Sequence, residues 1–295
     1  MPNIIINNYC NQKCSYCFAE DSMTIQKSPL NTQTLTIYLQ VLKFLRYYWY
    51  KEVRLLWWEP LLHPDIKKIL LLALKWWFNC LLFSNLNLPS PFIQSIFDDI
   101  WTKIRINCNL NNSDFYSETE YDNLLNNIHF LQSKGHEVII WYNLYDFNKT
   151  FDDIALFTRK LSIKRINLKV TNTIAWKELI IDTGSRKYWE FIFNILERYS
   201  SEFHFEISCW LTKDIFTQEE LNYIASQDIR LRFWCAGFAW EFDIDIDGSI
   251  YKCFPTRQYY LHRWLSIHNF NPREMKIESF WLPRSDGICS AHKVS

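Results

Sequence analysis

Between residues 4 and 170 short apolar runs alternate with helical patterns six times, with few residues between them. The runs are Ile4–Asn7, Val53–Leu56, Asn79–Ser84, Ile104–Leu110, Val138–Tyr142 and Ile166–Val170. Between them Leu30–Tyr50 carries leucines at helical spacing (Leu35, Leu39, Leu42, Leu45), with Asn31 or Thr32 as N-cap. Asp65–Trp76, entered through Pro64 in its first turn, Pro91–Ile100, Ser117–Lys134 closed by Gly135, and Phe151–Leu161 read as the next helices. Strand–helix alternation with short connectors demands parallel strands joined by right-handed crossovers. Six units are fewer than the eight of a closed barrel, so the expectation is an α/β chain forming an open or partial barrel. Ligands of such sheets bind at the C-terminal strand ends.

Three cysteines stand at that end of the first strand, in Cys10-Asn11-Gln12-Lys13-Cys14-Ser15-Tyr16-Cys17. Thiolates are soft ligands that select zinc, copper(I) or iron–sulfur clusters. Three of them can hold three irons of a [4Fe–4S] cube and leave the fourth open. The C-x3-C-x2-C spacing is neither the C-x2-C-x2-C run of bacterial ferredoxins nor the paired C-x2-C knuckles of a zinc ribbon. It resembles the cluster loop of the radical S-adenosylmethionine (SAM) enzymes, down to the aromatic Tyr16 before the last cysteine. One βα unit on, Leu56-Trp57-Trp58-Glu59-Pro60-Leu61 resembles that family's Gly-Gly-Glu-Pro turn, with tryptophan at both glycine positions. In the family this turn meets the methionine amino group of SAM, a role that falls to the Glu59 carboxylate. His63 reads as a helix-entry residue.

The resemblance implies a partial (βα)6 TIM-like barrel over residues 1–228. A small C-terminal hairpin-containing auxiliary region is expected over 229–295. It also implies that Ser84 and Asn85 at the end of strand 3, and Asn109 and Asn143 at the ends of strands 4 and 5, contact SAM. Read singly, each is a turn or capping residue sooner than a ligand contact. Phe242–Asp247 and Ser249–Cys253 flank an Asp-Gly pair and read as a β-hairpin. Cys235, Gly248 and Cys253, in C-x12-G-x4-C order, resemble the SPASM and twitch hairpins that hold auxiliary [4Fe–4S] clusters. Cys289 and His292 follow as further ligands; a zinc site of Cys235, Cys253, Cys289 and His292 is the alternative. Cys80, Cys108 and Cys209 sit in apolar strands and read as core.

By that resemblance the cysteine loop cleaves SAM reductively and starts hydrogen-atom abstraction. The cofactors are SAM, a [4Fe–4S] cluster and a second Fe–S cluster. The substrate expected is a peptide or protein, or else a small molecule, with a flavodoxin or ferredoxin as electron donor. A non-catalytic or electron-transfer Fe–S protein, its SAM site filled by Trp57 and Trp58, is the alternative. Zero net charge gives no argument for nucleic acid or an anionic membrane as partner. The first residues lack a signal peptide's basic and long apolar regions, and no run of about eighteen apolar residues suggests a span. Nine cysteines without an export signal favour metal binding in a reducing cytoplasm over disulfides.

Composition adds one anomaly: 14 tryptophans against 5 glycines. Average usage of roughly 7% glycine would give about twenty. Trp77 and Trp49 stand at helix-to-strand junctions where glycine belongs. A UGA codon read as tryptophan in this sequence, and as glycine in the source, would explain this at 49, 57, 58, 77, 210 and 240.

Overall fold

The computed structural model describes residues 2–17, 32–56, 58–146, 148–170, 186–208, 216–231, 242–251 and 265–266. The chain divides into two compact units: Met1–Ser84 with Ala236–Ser295, and Asn85–Cys235.

In the first unit β1 (Asn3–Ile4) is flanked by β2 (Glu52–Leu55) and by β9 (Asp243–Ile244), both parallel to it. β3 (Asn79–Ser84) pairs parallel with β2. β10 (Ser249–Tyr251) and β11 (Leu265–Ser266) continue beyond β9 as antiparallel strands. The order is thus β11-β10-β9-β1-β2-β3. Val53 and Leu55 lie in register with Cys80 and Leu82, and all four are buried. Helix α1 (Leu35–Tyr47) buries Tyr38, Val41, Leu42, Phe44 and Leu45; α2 (Ile66–Lys75) buries Ile66, Ile69, Leu70 and Ala73. Both stripes follow the 3.6-residue period.

The start of α1 differs from the sequence expectation. Thr34, not Asn31 or Thr32, is the cap, its hydroxyl accepting from the Ile37 N–H. Thr32 and Gln33 are held as extended chain instead: Thr32 bridges Asn7, and the Gln33 N–H donates to Ile6 at 2.7 Å. Pro64 lies before the N-cap Asp65 rather than inside the first turn of α2. The β9–β10 hairpin turns at Asp245–Gly248, with Gly248 at φ +83°. Asp245, Asp247 and the glycine supply the turn chemistry that an Asp-Gly pair promises.

The second unit is an all-parallel sheet in the order β4 (Arg105–Leu110), β5 (Glu137–Leu144), β6 (Arg165–Val170), β7 (His204–Ser208), β8 (Arg230–Leu231). Among the described residues its helices are α3 (Ser90–Phe97), α4 (Glu118–Ser133), α5 (Asp152–Lys160), α6 (Arg186–Tyr199) and α7 (Gln218–Ser226). One face is apolar across the register: Cys108, Ile140, Ile166 and Phe205 form one row, Leu110, Tyr142, Leu168 and Ile207 the next, all buried. The other face is polar: Asn109, Trp141, Asn167 and Glu206 form a row, and Asn143 pairs with Lys169 beside it. The Lys169 ammonium sits 5.1 Å from the Trp141 ring centre. Helix α4 opens on a capping box of Ser117 and Glu120, worth about 1 kcal/mol. Among the described residues no helix is long and apolar enough to cross a membrane.

Two buried histidines make stability pH-dependent. His63 Nδ1 accepts from the Asp65 N–H at 3.0 Å, and its Nε2 lies 2.9 Å from the Gln33 carbonyl. His136 Nδ1 accepts from the Ile104 N–H at 3.2 Å. Burial lowers both pKa values below the ordinary 6.5, His136 helped by Lys134. Each folded-state value thus lies below the unfolded one. Stability is complete above the unfolded value and falls as pH drops through it, because the unfolded chain takes protons that the fold refuses. Urea midpoints should hold near pH 7.5 and fall toward pH 5.5 (approximate bounds), and the His63→Gln/His136→Asn double variant should flatten that slope.

Candidate metal centre and active site

The cysteine loop leaves the end of β1 and is stitched to the turn after β2. The Asn7 side-chain amide donates to the Glu59 carbonyl at 2.9 Å, and the Glu59 N–H donates to the Tyr9 carbonyl at 3.2 Å. The Tyr9 hydroxyl donates to the Leu62 carbonyl at 2.8 Å. Within the loop the Cys17 N–H donates to the Cys14 carbonyl at 2.9 Å, and the Gln12 N–H points at Cys10 Sγ from 3.4 Å. Tyr16 is buried, whereas Cys10, Cys14 and Cys17 are half-exposed and in no disulfide. Cys80 and Cys108 are buried in their strands, as the apolar pattern around them predicts.

The electrostatics tie these groups together. Burial pushes the Cys10 thiol up to about 12; the Glu59 carboxylate adds to this, the Gln12 N–H opposes it, and Cys14 and Cys17 add smaller pushes. Three thiols and one carboxylate therefore share a neighbourhood with excess negative potential once ionised. A bound cation is what reverses that balance and deprotonates a coordinating thiol. Among the described residues no three His, Cys, Asp or Glu side chains already stand at metal-ligand distances. The donor set itself, three soft sulfurs on one short loop beside a carboxylate, fits an iron–sulfur cluster with one open iron.

Glu59 is 0% exposed. Its Oε1 accepts from the Leu61 N–H at 3.0 Å, capping the 3-10 turn Pro60–Leu62, and from the Ser84 hydroxyl at 2.8 Å. Ser84, expected against SAM, thus places its hydroxyl on Glu59. Trp58, one residue before, has φ +47°. Trp57 lies outside the described residues, as do Cys235, Cys253, Cys289, His292 and Cys209.

In the second unit Asn85 Oδ1 accepts from the Asn87 N–H at 2.8 Å, an Asx turn, and the amides of Asn143 and Asn109 bond to each other. The turn continues through Leu86 at φ +52°, and Asn127 holds it by donating to the Leu86 and Leu88 carbonyls. Sequence reasoning missed Asn7 and Tyr9, whose only signal is their place just before the first cysteine. It also missed Trp141, Asn167 and Lys169, although Arg165–Val170 alternates polar and apolar residues strictly.

A family model described as the radical SAM superfamily matches residues 4–157. Among solved structures, Streptococcus suis SuiB is similar in three states. SuiB alone gives a TM-score of 0.63 at 15% identity, covering 96% of this chain and 66% of that one. Bound to S-adenosylmethionine it gives 0.65 at 15%, covering 99% and 71%. Bound to the precursor peptide SuiA it gives 0.64 at 15%, covering 96% and 65%. Native anSMEcpe with bound AdoMet and Cp18Cys peptide gives 0.65 at 13%, covering 100% and 84%. At these identities the likeness shows the fold, an α/β partial TIM-like barrel. The chain spans about two thirds of the length of SuiB. Among curated protein sequences none matches it.

Proposed function

The chain belongs to the radical SAM superfamily and is an enzyme, and from that premise we propose that it cleaves S-adenosylmethionine reductively to begin hydrogen-atom abstraction from a peptide or protein. Cys10, Cys14 and Cys17 would hold a [4Fe–4S] cluster by three of its irons. Bound there, the cluster would supply the electron for reductive cleavage of SAM and so the radical chemistry that takes a hydrogen atom from the substrate. Glu59 accepts a hydrogen bond from the SAM ammonium, held for it by Ser84 and Leu61. Tyr16 and the turn residues at 57 and 58 border the same ligand. Asn85, Asn109 and Asn143 serve its ribose and carboxylate or the substrate. The observation that carries this reading is the hydrogen-bonded tie of the three-cysteine loop to the Glu59 turn through Asn7 and Tyr9.

The peptide substrate is supported by the SuiA and Cp18Cys peptides named with SuiB and anSMEcpe. The polar face of β4–β7 suits such a substrate, because a peptide brings many donors and acceptors that need partners. Anaerobic reconstitution with iron and sulfide, then dithionite and SAM, should yield 5′-deoxyadenosine and methionine. Iron-loaded Trp57→Gly/Trp58→Gly protein that yields neither refutes the reading. A flavodoxin or ferredoxin supplies the electron in a reducing cytoplasm.

Residues 229–295 we assign to an auxiliary region following a barrel of residues 1–228. Cys235, Cys253, Cys289 and His292 there ligate a second cluster, a role supported by the sharp hairpin at Gly248. Iron analysis should find about eight irons per chain rather than about four, and Cys253→Ala should lose about half. Four irons with one zinc would instead mark a zinc site.

A further inference from the structure

Five helices end alike. In α1, α2, α4, α5 and α7 the residue after the C-cap has a left-handed backbone: Trp49 at φ +61°, Trp77 at +64°, Gly135 at +82°, Ser162 at +54° and Asp228 at +53°. In each, the following N–H reaches back to the third-last helical carbonyl: Tyr50 to Leu45, Phe78 to Ala73, His136 to Leu131, Ile163 to Thr158 and Ile229 to Ile224. This is the Schellman closure, and its left-handed position selects glycine because a β-carbon there meets the following carbonyl. A short polar side chain such as that of serine or aspartate can offset part of that cost with a local hydrogen bond. An indole brings no such compensation, and a bulky residue in this region is an outlier.

Packing gives no compensating reason for the two tryptophans, since Trp49 is 87% exposed and Trp77 86% exposed. A third tryptophan, Trp58, is left-handed at φ +47° in the turn beside Glu59. The other tryptophans among the described residues behave differently. Trp76, Trp101, Trp141 and Trp189 are absent from the positive-φ set. Trp189 is buried against Phe216 at 4.8 Å, and Trp141 lies under the Lys169 ammonium. The backbone thus sorts seven tryptophans into three that stand in glycine conformations and four that do not.

We propose that positions 49, 58 and 77 are glycine in the protein its own cells make, through a codon that reads as tryptophan only in this sequence. At 49 and 77 this stands on helix closure alone and needs no view of the reaction. At 58 it rests on the SAM reading for its consequence: without a side chain, the backbone of the turn before Glu59 lies open to a ligand. The three positions are tested together by tandem mass spectrometry of peptides from protein purified from its source, with the gene's codons read alongside. Glycine at 49, 58 and 77 encoded by UGA, with tryptophan encoded by UGG at 141 and 189, is the expected result. Tryptophan at any of the three left-handed positions overturns it. In recombinant protein Trp49→Gly and Trp77→Gly should each raise Tm by about 2–4 °C; a fall in Tm with either one speaks against the proposal. Glycine-bearing protein that leaves SAM intact would refute the radical chemistry and leave this inference untouched, so the two fail separately.

Discussion

Alanine at Cys10, Cys14 or Cys17 should strip the protein of its N-terminal cluster and stop 5′-deoxyadenosine formation. The loss should exceed the roughly 100-fold that changes behind a metal ligand cause, since an iron would lose its only protein sulfur. The readouts are iron content, absorbance near about 400 nm as expected of Fe–S centres, and deoxyadenosine after reduction. Cys108→Ala is the matched control, because that thiol is buried in β4. A variant of Cys14 that keeps full iron and full cleavage would remove the basis for the mechanism. Glu59→Gln separates charge from shape in the same assay. Glutamine can still accept from Leu61 and Ser84, so the turn should survive. What it loses is the charge that receives an ammonium, a bond worth about 1.5–3 kcal/mol. Iron should therefore be retained while SAM affinity falls about ten-fold or more.

Why Glu59 could be singled out from sequence, and Ser84's part could not, has a physical reason. Glu-Pro after two turn residues is a local pattern, and the capping of Leu61 by Glu59 is local too. Ser84 meets Glu59 across 25 positions of chain, through the parallel register of β2 and β3. Periodicity says which face of a strand is buried, but not which polar side chain on the next strand it meets. The same limit hid the row Asn109, Trp141, Asn167 and Glu206, which exists only once β4 to β7 are in register.

Strand and helix existence was legible because the apolar periods are strong. β3 has the bounds the pattern predicts, and the Asp-Gly hairpin stands where its turn residues put it. The start of α1 was not legible. Asn31 and Thr32 are good caps by type, yet Thr32 and Gln33 are claimed by pairing with Asn7 and Ile6, a non-local contact that outweighs local preference. The misplaced tryptophans were legible in part. Their position at helix ends shows in the sequence, which already picks Trp77; the backbone angles add that Trp77 closes α2 in a left-handed conformation while its neighbour Trp76 caps it at φ −88°.

That distinction sets the second large effect. The protein carrying tryptophan at 57 and 58 should bind SAM poorly, and Trp57→Gly/Trp58→Gly should tighten binding by at least about ten-fold, or 1.4 kcal/mol. Two effects act separately. A left-handed non-glycine residue costs about 1–2 kcal/mol, and losing this strain at Trp58 raises the stability of the fold. Glycine also lets a ligand approach the main chain closely, and this raises affinity. Stability and affinity should therefore rise together, whereas a substitution that merely empties packed volume gains space at the expense of stability. Equilibrium binding of SAM to anaerobically reconstituted protein, with Tm measured on the same samples, reads both. If the double glycine variant binds SAM no better than the parent, the turn before Glu59 is not part of the ligand's cradle.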